Sequence, residues 1–144
     1  MNKKGFTLTE LLAVIAIIGI LSLIAIPNIV DIMDNIKRDN MLDDAKKIIS
    51  LAKLEVNANY SIRQENSHDF SLSTLLENSS DIKNDPDGGT YQSDSYVRYS
   101  KNDGNVTYCI YLEGSKRTIG TIDNCVYESD LYSKNVVKSK WDVK

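Results

Sequence analysis

Gly5-Phe6-Thr7-Leu8-Thr9-Glu10-Leu11 opens the stretch that decides the fold, and from Leu11 to Ile26 only Leu, Ala, Val and Ile follow, apart from Gly19 and Ser22. Read as helix, Phe6 to Val30 measures about 37 Å at about 1.5 Å per residue, enough for a hydrocarbon core of about 30 Å. Asn2, Lys3 and Lys4 precede it and no lysine cluster follows at once, so the positive-inside bias holds the N-terminus in the cytoplasm and sends the rest out. No small-x-small cleavage pattern stands before Asn28, so the apolar segment is kept rather than removed. Within it, Glu10 is the only charge between Lys4 and Asp31. A carboxylate in a membrane helix costs about 2.5–3.5 kcal/mol on the lenient insertion scale, so Glu10 either reaches back to the headgroups or has a counter-charge.

Gly5 ends a short basic leader and is an uncrowded residue that a peptidase can hold extended; a cut there makes Phe6 the first residue. Lys3-Lys4-Gly5-Phe6-Thr7-Leu8-Thr9-Glu10-Leu11 with its apolar run resembles the class III signal of type IV prepilins and pseudopilins, over Lys3 to Pro27. The resemblance implies cleavage between Gly5 and Phe6 by a prepilin peptidase and N-methylation of the Phe6 amine. It also implies assembly through a pair between the Glu10 carboxylate and the Phe6 amine of a neighbouring copy. Losing one partner of such a buried pair leaves an uncompensated charge, worth about 3–5 kcal/mol. Gly19 and Pro27 mark either a simple kink, since Pro27 removes the hydrogen bond to the Leu23 carbonyl, or the stretch that in the resembled filaments loses helical order on assembly.

After Asn28 the apolar residues become periodic, with Ile29, Ile32, Met33, Ile36, Leu42, Ala45, Ile48, Ile49, Ala52 and Val56 mostly three or four apart. This predicts an amphipathic continuation to about Glu65, in one helix whose stripe packs on a globular part while the bare apolar half projects from it. Such a chain buries its bare half only in lipid or in copies of itself, and a head-to-tail contact that does not close builds a helical filament.

Phe70, Leu72, Leu75, Leu76 and Ile82 predict a short helix with a covering loop, capped by Ser71 or Asp69. Tyr96 to Ser100, Val106 to Leu112 and Thr118 to Ile122 read as strands, separated by Asn102-Asp103-Gly104 and Glu113-Gly114-Ser115, and predict a three-strand antiparallel meander. The fold class is therefore α+β: a long N-terminal helix packed against a small antiparallel sheet. It divides into a leader at 1–5, a transmembrane and assembly helix at 6–30, its amphipathic continuation at 31–66 and a head at 67–144.

Cys109 and Cys125 enclose a loop of about 16 residues, whose closure contributes about 3 kcal/mol if they pair outside the cell; two separate half-buried thiols are the other reading. Val126 to Lys144 is then left outside the loop as a tail. Asp85-Pro86-Asp87-Gly88-Gly89 has the composition of a turn. It also resembles the calcium-binding loop of major pseudopilins, but Asp87 replaces the aromatic residue there and no bidentate Glu follows, so the turn reading takes precedence over calcium at Asp85 and Asp87 and no cofactor is expected. The tyrosines cluster in the second half of the chain as strand residues, His68 reads as a solvated loop residue, and Asn78 and Asn105 open weak glycosylation patterns.

With one histidine, no phosphate loop and no metal-spaced cluster, nothing converges on catalysis, so the chain is not expected to be an enzyme. A net charge of −3 with scattered bases gives no footprint for sequence-specific nucleic acid binding. The expected function is a structural subunit of a type IV pilus, stored in the cytoplasmic membrane, then assembled at the surface and supporting adhesion or motility. The implied partners are other copies, minor pilins, the peptidase, an assembly ATPase and a platform protein. A pseudopilin of a secretion or DNA-uptake system has the same N-terminal physics; a single-pass anchored binding domain explains the span but not Gly5, Phe6 and Glu10 together.

Overall fold

The computed structural model describes residues 5–77, 79, 82 and 84–138, with the side chains of residues 25–28 and 138 left aside. Contacts gather the chain into two units, 1–36 and 37–144.

One helix, α1 (Leu8–Ala58), runs for 51 residues, as an apolar run that turns into a 3.6-residue period requires. Its arms Leu8–Ile24 and Ile29–Ala58 meet at 47° across the four residues that include Pro27. A proline has no amide to close the helical hydrogen bond, and the bend falls where that bond is missing. Among the described residues no single helix is long and apolar enough to cross a membrane; the bent pair together meets the requirement by length and composition. The helix stops at Ala58, short of the expected Glu65, because Asn59 leaves helical geometry and its side chain accepts from the Ser61 amide at 3.1 Å. That cap starts a separate short helix, α2 (Tyr60–Gln64).

In the 37–144 unit, Met41, Ala45, Ile48, Ile49 and Ala52 are fully buried and form one core with Val97, Ile110, Leu112, Ile119 and Val136 of the sheet. Burial on α1 begins at Met41 and Leu42. Ile29, Ile32, Met33 and Ile36, expected to join the packed stripe, are exposed instead.

The sheet has six strands among the described residues, twice the expected number. They are β1 (Ser67–Ser71), β2 (Tyr96–Asn102), β3 (Asn105–Glu113), β4 (Arg117–Ile119), β5 (Val126–Tyr127) and β6 (Val136–Lys138). The order is β1-β2-β3-β4-β6, all antiparallel, with β5 also on β3. The β2–β3 turn places Asp103 at φ 48° and Gly104 at φ 84°, the two left-handed positions of the favoured two-residue hairpin. Ser71 ends β1 and caps α3 (Leu72–Leu76), accepting from the Thr74 amide.

Two expectations are corrected here. Asp69 is no cap but a β1 residue, bound by Arg98 of β2 through two hydrogen bonds at 2.7 and 2.8 Å. Val126 to Lys138 is not a tail outside the fold: β5 pairs at Cys109 and Ile110, and β6 completes the sheet beside β4, while the remainder of the expected tail, 139–144, lies outside the described residues. His68 also lies on β1, half-buried, with Nδ1 2.8 Å from Glu65 Oε2 and its ring edge-on to Phe70.

Candidate functional site

At the start of α1, Thr7 and Glu10 cap each other. The Thr7 amide and the Thr7 hydroxyl both donate to Glu10 Oε2 at 2.9 Å, and the Glu10 amide donates to Thr7 Oγ1 at 3.3 Å. This is a reciprocal capping arrangement, which satisfies two of the helix's orphan amides. The sequence carries this signal as the Thr-x-x-Glu spacing of Thr7 and Glu10, beside the headgroup and counter-charge readings of Glu10. Among the described residues Glu10 has no ionic partner, and neither Thr7 nor Glu10 depends on a residue before Phe6 for these bonds. Gly5, Phe6 and Thr7 are non-helical and exposed, Phe6 at 79%, and nothing lies within 4 Å of where a side chain at Gly5 would begin. The leader residues before Gly5 lie outside the described residues, as does Asn78.

Beyond this cap, among the described residues from Leu8 to Ile36, sixteen large apolar side chains are exposed, each by more than 40%. Removing one such side chain from water is worth about 1.5–3 kcal/mol, so this surface is strongly adhesive toward lipid or toward a like surface. Gly19 sits within it with open space around it.

On the head, Cys109 and Cys125 are joined in a disulfide, with Cα atoms 5.5 Å apart. The bond fixes the Gly120–Asn124 turn, in which Thr121 and Asn124 exchange backbone hydrogen bonds, against the outer face of β3. Tyr96 donates its hydroxyl to the Ile122 carbonyl at 3.0 Å and holds the same turn from β2.

The Asp85–Gly89 segment is a turn, and it is tied down on every side. Asp85 Oδ1 accepts from the Asp87 and Gly89 amides at 2.8 and 3.0 Å, and its Oδ2 accepts from the Ser115 amide across the β3–β4 hairpin. Burial opposes the charged form of Asp85, but these donors outweigh it and hold the carboxyl below the usual carboxylate range. Asp87, its side chain only 3% exposed, lies between two cations: Lys37 Nζ at 3.1 Å from Oδ1 and Arg117 Nε at 3.0 Å from Oδ2. Among the described residues no group of three or more His, Cys, Asp or Glu side chains converges on a metal position. The Asp85 and Asp87 carboxylates thus have Lys37, Arg117 and three amides as their partners in this structure.

Residues 1–26 match the family model described as the prokaryotic N-terminal methylation motif, the class III signal of type IV pilins and pseudopilins. No curated protein and no solved structure matches the chain.

Proposed function

We propose, with the class III signal of residues 1–26 as premise, that this chain is the precursor of a type IV pilus subunit that polymerises through α1. The single observation that carries the reading is the run of sixteen exposed apolar side chains among the described residues from Leu8 to Ile36, which begins inside the methylation motif and continues past it on α1. In the stored state the bent helix lies in the cytoplasmic membrane with the head outside, and Glu10 is satisfied by Thr7. A prepilin peptidase cuts between Gly5 and Phe6 and the new amine is methylated. The Thr7 cap survives the cut, because the Thr7 amide remains a peptide N–H. On assembly the Phe6 amine of a neighbouring copy supplies the charge that a neutral cap cannot, and the apolar faces of adjacent helices bury one another. An assembly ATPase, a platform protein and minor pilins act with it, and adhesion or motility follows from the filament. The chain itself performs no catalysis in this scheme and binds no cofactor.

A pilin is favoured over a calcium-dependent secretion pseudopilin by the Asp85 turn, whose carboxylates already have internal partners. The deciding experiment is N-terminal sequencing and mass measurement of fibres sheared from cells. Fibres beginning at N-methyl-Phe6 are expected, with none built by a Glu10→Leu chain. Fibres that retain Met1, or normal fibres from Glu10→Leu, would overturn the proposal.

A further inference from the structure

The segment from Asp85 to Tyr91 lies along one face of α1. Lys37, Met41 and Asp44 fall at steps of four and three and share that face. Lys37 meets Asp87 at one end, and Asp44 accepts from the Tyr91 hydroxyl at 2.7 Å at the other. Met41, fully buried, sits between the two ties. Burial and then the bond to Asp44 raise the Tyr91 phenol above its usual range, so this donor keeps its proton. The segment is itself fastened to the β3–β4 hairpin, through Asp85 to Ser115 and through Asp87 to Arg117. Beside it, Arg38 donates to the Val136 carbonyl of β6.

From this geometry we infer that the Asp85–Tyr91 segment is a strap that clamps the first two head-bound turns of α1, Lys37 to Asp44, and that Asp87 is the positioning residue that fastens it. The ties stand where burial on α1 starts: Ile29, Val30, Ile32, Met33 and Ile36 are exposed, and Met41, Leu42 and Ala45 are buried. A helical stretch whose apolar side chains are exposed opens more readily than one packed in a core, and opening spreads until packing stops it. Asp87 places a desolvated carboxylate against a lysine of α1 and an arginine of β4 at that limit, so opening Lys37 to Asp44 takes away one of the two cations of a buried carboxylate and leaves it on Arg117 alone. The strap therefore confines any unwinding of α1 to residues before Lys37. Its consequence for a polymer under tension rests on the filament reading; its existence does not.

Amide hydrogen exchange of the full chain in non-ionic detergent micelles tests the strap without any polymerisation, so its failure and failure of the filament reading are separable. In Asp87→Asn the amides of Lys37 to Asp44 should exchange at least tenfold faster, while those of Ile48 to Val56 and of β3 stay as in the wild type. Lys37→Ala, which leaves Asp87 on Arg117, should give the same local change. A Lys37→Ala chain that exchanges like the wild type overturns the inference, whatever Asp87→Asn does. So does an Asp87→Asn chain in which the head amides all accelerate together, since Asp87 would then act on the whole core and not on the strap.

Discussion

The Glu10 carboxylate takes both of its hydrogen bonds from a single residue, Thr7, on the same oxygen. A Thr7→Ala chain keeps Gly5 and Phe6 but loses the hydroxyl that serves as cap and as donor. Helix start should weaken by about 1 kcal/mol. Amide exchange of Glu10 and Leu11 in micelles should rise several-fold, with leader cleavage unchanged, as mass measurement of the processed chain would show.

Acid should loosen the head through Asp85. Its folded pKa lies below the unfolded value of about 3.9, so the unfolded chain binds the proton more readily. The stabilisation is therefore fully present above about pH 4 and is lost as pH falls through the lower, folded value. Thermal melts of the full chain in micelles should be flat in this contribution from pH 7 to about 5 and fall below about pH 4. Asp85→Asn should cost about 1–3 kcal/mol at neutral pH and flatten that fall. Some slope should persist, because the Arg98 hydrogen bond lowers the Asp69 carboxyl in the same sense.

Gly89 has no room for a side chain. A Cβ there would stand 2.6 Å from Ser115 Cβ and 3.1 Å from Asp85 Oδ2. Gly89→Ala should destabilise the head by about 1–3 kcal/mol, read as a lower urea midpoint, whereas Gly5→Ala, in open space, should leave the same midpoint unmoved.

Millimolar calcium and a chelator should give the same melting temperature. Ligand binding to the folded state alone raises that temperature by mass action, so any calcium-dependent rise would show that Asp85 and Asp87 accept a metal after all.

Reduction should cost as much as the upper end of the range given for Asp85→Asn and Gly89→Ala, about 3 kcal/mol. Cys109 and Cys125 are 16 residues apart, and opening a loop of that size is worth about 3 kcal/mol. A Cys109→Ser, Cys125→Ser chain should lose about that much in urea denaturation, with β5 the first strand to lose amide protection.

How much of this was legible along the chain depended on how local each feature is. The long helix was readable because its signal, an apolar run followed by a regular stripe, lies within consecutive residues. The β2–β3 hairpin was readable from Asp103-Gly104, whose left-handed backbone those residue types permit. Ser67-His68-Asp69-Phe70-Ser71 was not, since Phe70 alone is apolar and the strand exists by virtue of its pairing with β2, some thirty residues on. The short β5 and β6 carry little pattern and are strands because β3 and β4 offer them an edge. The same division runs through the sites. Gly5, Phe6 and Glu10 form a contiguous motif, while Lys37, Asp87 and Arg117 come from three distant parts of the chain and meet only in the fold.

Arg38, by occupying the Val136 carbonyl, does more than steady a helix. Among the described residues β6 is the last strand on its side of the sheet, and an open carbonyl row at such a margin is a template for another chain's strand. A guanidinium bound to a β6 carbonyl should make strand-on-strand association of crowded copies at that margin less favourable.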